Sequence, residues 1–344
     1  WSDAAGAIRE EHTRPRESPP EDESHTISLL EGDDEEYLEA GATTVEDLAT
    51  LSPQVEASVA RQILDADPTL DEDLAAWWSS TCDLPRVSLL GPVAVRPVAG
   101  IPLKERVEYH TEVVSYLALR EHGATNAELQ EAFGIAEGTV RRSINTVRDW
   151  LGVNPRTGAK HLPDAGAGPK ACVRGTKVYE LVDVLVDADL FRRLRLRGQA
   201  RGGHEGIADL LQALRLVQGV PFSQLRRGGW NWLLEGERVE EELASSIEAT
   251  AHSATLACLR AGDVVNARLA TSAALQGVPY SQVLRLDLAR IAEVEGDQAK
   301  AETIVRDEIC NATDDDGDGP LDVSDRTRQV LEEHQWGQPR QRAS

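Results

Sequence analysis

A mainly α-helical chain is what this sequence predicts, and three observations carry that expectation. Of 344 residues, 41% are hydrophobic and only 4% aromatic, a balance suited to alanine- and leucine-rich helical packing. Residues 125–152 read as two short helices joined by a tight turn. Gly262 and Gly296 stand in matching segments 34 residues apart, the period of paired-helix repeats.

Taken in order, the elements begin with an acidic leader. Residues 1–85 hold 22 acidic and 4 basic residues, so they carry −18 of the chain's net −23. Residues 1–34, rich in Pro, Ser, Glu and Arg, offer too little apolar surface to offset chain entropy and are expected to be disordered. Over 35–85 two weak helical patterns appear, Val55, Val59 and Ile63, then Leu74, Trp77 and Trp78. The tryptophans either dock on a neighbouring domain or partner or cover a local helix.

Residues 87–90 and 93–96 flank Gly91-Pro92 and predict a short hairpin. A long helix is expected over about 104–121, with Val107, Val113, Val114 and Leu117 on one side and Gly123 as its stop. Thr125 and Glu128 then form a capping box, so a helix starts there, and Gly134 supplies the turn that ends it. In the next helix Val140, Ile144, Val147 and Leu151 recur at i, i+4, i+7 and i+11, one apolar stripe that must pack inward. A Gly- and Pro-rich stretch leads on to residues 171–173, a turn at Arg174-Gly175-Thr176, and residues 178–182, which read as a second hairpin. Strands, three helices and a closing hairpin are the order of a winged helix.

Arg141, Asn145 and Arg148 share the spacing of the apolar stripe about a quarter turn away, where a seated helix offers side chains to a groove. From Gly138 to Lys177 there are eight basic residues against two acidic ones, a local balance of +6 inside an acidic chain. Such an island is the electrostatic footprint of a phosphate-binding surface. Double-stranded DNA is therefore the expected partner, with Thr139, Arg141, Arg142, Asn145 and Arg148 at the groove and Arg174 and Lys177, at the hairpin tip, on the phosphate backbone. A solvated helix face is the plainer alternative.

Beyond residue 182, helices are expected near 205–217 and 237–260. Arg260-Ala261-Gly262-Asp263 with Ala267 recurs as Val294-Glu295-Gly296-Asp297 with Ala301, which predicts a short stack of helix pairs. Its groove suits a protein partner or a second copy of the chain. Residues 314–325 follow the spacing of a calcium loop, with Gly319 at position 6 and Asp325 in place of the usual glutamate at position 12. A weak calcium site and a solvated connector to a terminal helix over 325–334 both fit.

Several classes are disfavoured. Cys82, Cys172, Cys258 and Cys310 lie far apart with no C-x-x-C pair, which fits incidental thiols in a reducing, cytoplasmic setting and no metal site. No apolar run is long enough for a membrane span, so no membrane contact is expected. No phosphate loop or catalytic cluster marks an enzyme or calls for a cofactor. Methionine is absent, at position 1 included, so the chain is expected to be a piece of something longer.

The sequence also resembles a known family. Arg86-Val87-Ser88-Leu89-Leu90-Gly91-Pro92-Val93 looks like its opening strand, and residues 143–152, with Val147-Arg148 and Leu151-Gly152, look like the end of its recognition helix. Val186-Asp187-Ala188-Asp189-Leu190-Phe191 resembles the start of its second domain, and Gly219-Val220-Pro221-Phe222 with Trp230 and Trp232 resembles its tryptophan-containing loop. This order is similar to that of actinobacterial antibiotic-pathway regulators, in which a response-regulator-type winged helix precedes a bacterial transcriptional activator domain. The resemblance covers about residues 86–310 and implies sequence-directed DNA binding with a helical repeat domain that regulates or dimerises.

The expected organisation is thus an acidic leader (1–34), an acidic partly helical segment (35–85), a winged helix-turn-helix domain (86–182), a tetratricopeptide-like helical repeat domain (183–310), and an acidic linker with a terminal helix (311–344). A DNA-binding transcriptional regulator is the leading expectation. A non-enzymatic adaptor that uses both domains to bind protein is the alternative.

Overall fold

The computed structural model describes residues 57–311, 323–334 and 336. Helices dominate it. The acidic segment supplies α1 (Ala57–Ala66) and α2 (Leu70–Trp78). Only α2 is anchored in the interior: Leu70 is fully buried, Leu74 and Trp77 pack beside it, and Trp78 points to solvent.

A three-stranded sheet follows, in the order β2-β1-β3. Strands β1 (Arg86–Ser88) and β2 (Ala94–Arg96) pair antiparallel with Val87 opposite Val95, the hairpin that the Gly91-Pro92 turn predicts. Strand β3 (Leu185–Val186) joins β1 in parallel, Val87 against Val186. It comes from the far side of the expected boundary at 182/183.

Three helices follow, the first of them packed on β1 and β2. In α3 (Val107–Ala118) the residues Tyr109, Val113, Val114, Tyr116 and Leu117 are buried. In α4 (Asn126–Phe133) Thr125 Oγ1 accepts from the Glu128 N–H and the Glu128 carboxylate accepts from the Thr125 N–H, so the capping box closes in both directions. Gly134, at φ 60°, ends it in the left-handed region where a side chain is strained. In α5 (Glu137–Leu151) the stripe Val140, Ile144, Val147 and Leu151 is buried, with Trp150 beside it.

The second hairpin does not form. Residues Pro169–Arg174 are a short helix, α6. Pro169 has its φ preset for a first helical turn and no N–H to lose there. Glu180, whose carboxylate accepts the Lys170 N–H at 3.0 and 3.2 Å, satisfies that helix start. Gly175, at φ 64°, ends it. The expected return strand instead pairs Tyr179 with Ala124, through N–H···O bonds of 2.9 and 2.8 Å. The stretch 178–182 is thus extended at one bridge as expected, but its partner is Ala124 and not residues 171–173.

Beyond β3 run α7 (Asp187–Arg201) and α8 (Gly203–Leu214), packed so closely that a Cβ on Gly206 would lie 2.3 Å from the Gly198 carbonyl oxygen. A loop, 215–232, and a π-helical turn, Leu233–Glu237, lead to α9 (Val239–Arg260). Then come α10 (Val264–Gly277), α11 (Gln282–Val294) and α12 (Gln298–Thr303), which continues as a π-helical turn, Ile304–Cys310. The terminal helix is α13 (Asp325–Glu333).

The 34-residue repeat has a concrete meaning here. Gly262 and Gly296 both take positive φ, 74° and 82°, and let the chain reverse. Asp263 and Asp297 then cap α10 and α12, accepting from the Asn266 and Lys300 N–H at 3.0 Å each. Ala267 and Ala301, both fully buried, let the paired helices approach.

One continuous core runs from Leu70 through Val87, Ile144, Phe191 and Trp230 to Leu284. A second cluster, from Leu286 to Ile309, receives Val330 and Trp336 from the terminal segment. The segments on either side of residue 182 therefore share an interior. Asp187 reinforces the join: buried within it, its carboxylate accepts the Leu89 and Leu90 N–H at 2.7 and 3.1 Å and the Ala188 N–H at 2.8 Å.

Candidate nucleic-acid interface

Burial of the α5 stripe dictates which side chains remain for a partner. Arg141, Arg142 and Asn145 are exposed, and Thr139 is half-exposed between them. Arg141 pairs with Glu137 one turn back. Arg142 turns along its own helix, donating to the Gly138 carbonyl at 3.1 Å and to Thr139 Oγ1 at 3.3 Å. Both contacts are local and exposed, so either arginine can exchange them for a phosphate or a base edge at small cost.

Arg148 behaves differently. Its side chain is only 12% exposed and is spent inside the protein. Nε donates to the Leu162 carbonyl at 2.7 Å, Nη2 to the Pro163 carbonyl at 3.0 Å, and Nη1 to Asn145 Oδ1 at 2.7 Å; Asp164 lies 3.1 Å away. It clamps the Gly- and Pro-rich stretch onto α5. The shared i, i+4, i+7 spacing placed it on the right stripe, but the loop returns over the C-terminal half of α5 and takes it.

The two residues expected on the phosphate backbone also part company. Arg174 ends α6 rather than tipping a hairpin; it pairs with Glu128 at 2.9 Å and donates to the Gly123 carbonyl at 3.2 Å. Burial alone would raise the Glu128 carboxyl, yet the Arg174 guanidinium and the Thr125 N–H hold it below its ordinary value. Lys177 is exposed.

The rest of the basic island is similarly engaged. Arg156 pairs with Asp83 at 2.7 Å, and Lys160 lies 3.8 Å from Asp164. Lys170 points inward to the Arg120 carbonyl, and burial lowers its ammonium below the usual lysine range. Among the described residues, only Arg142 and Lys177 of the island form no ion pair and stand exposed. The island is thus a set of neutralised pairs with an exposed cationic end at the N-terminal half of α5.

The described acidic helices do not cover that end. Arg193 on α7 gathers Asp67 at 2.7 Å and Asp73 at 2.8 Å, and Arg197 meets Asp71 and Asp209, each at 2.7 Å. Asp67, Asp71 and Asp73 are therefore committed to α7.

Sequence reading missed a second buried lock. Glu112 on α3, only 2% exposed, accepts Arg226 Nε at 2.6 Å and the Trp230 N–H at 2.7 Å, which fastens the loop 215–232 to α3. In that loop Phe222, Gln224 and Trp230 all take positive φ. Non-glycine residues in that region are strained and persist where the surroundings hold them. The partners are 114 and 118 residues apart in sequence, so no local pattern announces them.

No helix among the described residues is long and apolar enough to cross a membrane, and no group of three or more His, Cys, Asp or Glu is placed to hold a metal ion there. Residues 314–322 of the calcium-loop pattern lie outside the described residues, and Asp325 pairs with Arg328 at the start of α13.

What the fold defines is a mainly helical protein whose helices on either side of residue 182 share one core. No protein-family model matches the chain, and no curated protein matches it in sequence. A solved structure, Mycobacterium tuberculosis EmbR in complex with a low affinity phosphopeptide, is similar at 18% identity and a TM-score of 0.47. The match covers 74% of this chain and 66% of that one, so the chain spans just under two thirds of its length. A likeness of that size carries no functional argument.

Proposed function

We propose that this chain is a DNA-binding transcriptional regulator: α5 enters the major groove of double-stranded DNA as the second helix of a helix-turn-helix that has α6 where a wing hairpin was expected, and the tetratricopeptide-like repeats regulate or dimerise. One observation carries the reading. On the face of α5 away from the core, Thr139, Arg141, Arg142 and Asn145 stand together at the N-terminal half of the helix, the part that a helix-turn-helix presents to base edges. Lys177 serves the backbone, while Arg148 and Arg174 act from behind by holding the loop and α6 in place. The resemblance of residues 86–310 to winged-helix activators points the same way.

With few cations left unpaired, the phosphate contribution is small. A titration of the whole chain against genomic and random duplexes at two salt concentrations tests this, with a log-log slope near about −0.9 for each phosphate neutralised and only about two or three phosphates expected. Arg142→Ala should flatten that slope by about one such unit. A slope near zero with no sequence preference would overturn the reading.

A second reading, an adaptor whose two halves bind protein, is favoured by the internal pairing of Arg148, Arg156 and Arg174. It gains if no duplex binds and a second copy or another protein does.

A further inference from the structure

We propose that α13 is a pH-sensitive latch on the repeats, which closes over α9 and α11 while His252 is neutral and opens when that imidazole takes up a proton. The device is a chain of three side chains from three helices. His252 on α9 and Asp287 on α11 are both fully buried, and the imidazole Nδ1 lies 2.7 Å from Asp287 Oδ2. On its other side, Nε2 lies 3.3 Å from Nη2 of Arg326 on α13.

Chemistry fixes the protons in that chain. A guanidinium has only donors, so Nε2 must accept, and the one ring proton sits on Nδ1 and is donated to Asp287. His252 is therefore neutral while α13 is closed. A second proton would have to enter on Nε2, where N–H would face N–H and cation would face cation. Asp287 accepts from Nδ1 whether α13 is closed or open, so the contact that tells the two forms apart is Arg326. The open form takes up the proton more readily, and by linkage α13 is released as pH falls through the range of about 5–8 in which histidine changes charge.

The neighbouring charges leave that sign in place. From α11 come Asp287 and Arg290, the latter itself buried with Nη1 3.8 Å from Asp287 Oδ1, and α9 adds Glu248 one turn before His252. Arg268, the one charged residue of α10, is turned to Glu295. Burial holds the Arg326 guanidinium below its ordinary value, with Asp287 and Glu248 pulling up and Arg290 pushing down.

The rest of the attachment is slight. Of the nine residues of α13 two are buried, Thr327 and Val330, with Trp336 beyond the helix. Gln282 Oε1 accepts the Ser324 N–H at 3.2 Å and the Thr327 hydroxyl at 2.9 Å. His334, 3.1 Å from Glu293, works in the opposite sense, because its protonation strengthens an ion pair; that pair is part-exposed and contributes little. Opening uncovers the apolar cluster from Leu286 to Ile309 that Val330 and Trp336 complete.

Hydrogen–deuterium exchange of the whole chain, read by mass spectrometry at about pH 7.5 and about pH 5.5 and corrected for the intrinsic rate, decides it. Protection over 325–334 is expected to fall about five- to fiftyfold in acid, within the limit of about tenfold per pH unit that one proton sets, while α9 and α11 keep theirs. In Arg326→Gln the side chain offers an N–H or a carbonyl to either form of the imidazole, so α13 should lose its pH response. His334→Gln should leave the response in place. Protection over 325–334 that is equal at the two pH values or higher in acid, a response that survives Arg326→Gln or disappears in His334→Gln, or a loss shared by α9 and α11 would each overturn the proposal.

Discussion

Replacing Arg148 by alanine separates a structural clamp from a base-reading side chain. The substitution removes three hydrogen bonds and one ion pair. Leu162 is fully buried, so its carbonyl loses its charged donor with no water to replace it, at a cost of about 1–3 kcal/mol. The Pro163 carbonyl is only half-buried and recovers a water, a loss of about 1 kcal/mol. Asp164 is 71% exposed, and its pair contributes at most about 1 kcal/mol. Asn145 keeps access to solvent and adds little. The sum is about 2–5 kcal/mol of stability, or a melting shift on the order of 5–20 °C for a domain of this size. Urea unfolding followed by far-UV circular dichroism measures it, with Arg142→Ala as the control that should stay within about 0.5 kcal/mol of the parent. Should Arg148→Ala be as stable as the parent while duplex binding collapses, the clamp assignment is wrong and the groove assignment returns.

Three further outcomes follow from the same structure. Burial pushes the Asp187 carboxyl up to about 7 from an ordinary 3.8, against the pull of three N–H donors, so the folded chain holds a proton that the unfolded chain releases. Its contribution is fully present below about pH 4 and is lost as pH rises through about 7; urea midpoints across about pH 4–8 should therefore fall less in Asp187→Asn than in the parent, and parallel curves would contradict this. Glu112→Ala leaves the partly exposed Arg226 guanidinium and the buried Trp230 N–H without their acceptor, and should cost about 2–3 kcal/mol in the same unfolding measurement; a change under about 0.5 kcal/mol would mean that the strained loop holds itself. Asp263→Ala and Asp297→Ala should each cost about 1 kcal/mol as lost helix caps, whereas a neutral result at both would deny the repeat its capping role.

What the sequence made legible was what neighbours in sequence decide. The Thr125–Glu128 box, the Gly134 turn, the α5 stripe and the Gly-Asp starts of the repeat are all settled within a few residues, and they stand where local chemistry puts them. The stretch 169–182 was ambiguous at that range, because a short apolar run such as Ala171-Cys172-Val173 suits a strand or a helix turn equally. Pro169 and the distant Glu180 carboxylate decide for the helix. At the candidate site, α5 and its exposed residues were readable, but the fate of each arginine depended on where a carboxylate or carbonyl arrives: Pro163 for Arg148, Glu128 for Arg174, Asp83 for Arg156. Composition counted the charges and could not see them cancel. The buried Glu112 and Asp187 escaped notice because their partners come from elements 97 to 118 residues away.

The parallel strand β3 reaches back across the middle of the chain to complete a sheet begun far earlier in the sequence. A chain cut at residue 182 would expose one edge of β1 and leave the Leu89 and Leu90 amides without their acceptor, so the front half is not a portable module that can be grafted onto another protein. Its melting should coincide with that of the first repeat helices in one calorimetric peak. A substitution that loosens Val87 or Asp187 should therefore lower the stability of both halves together.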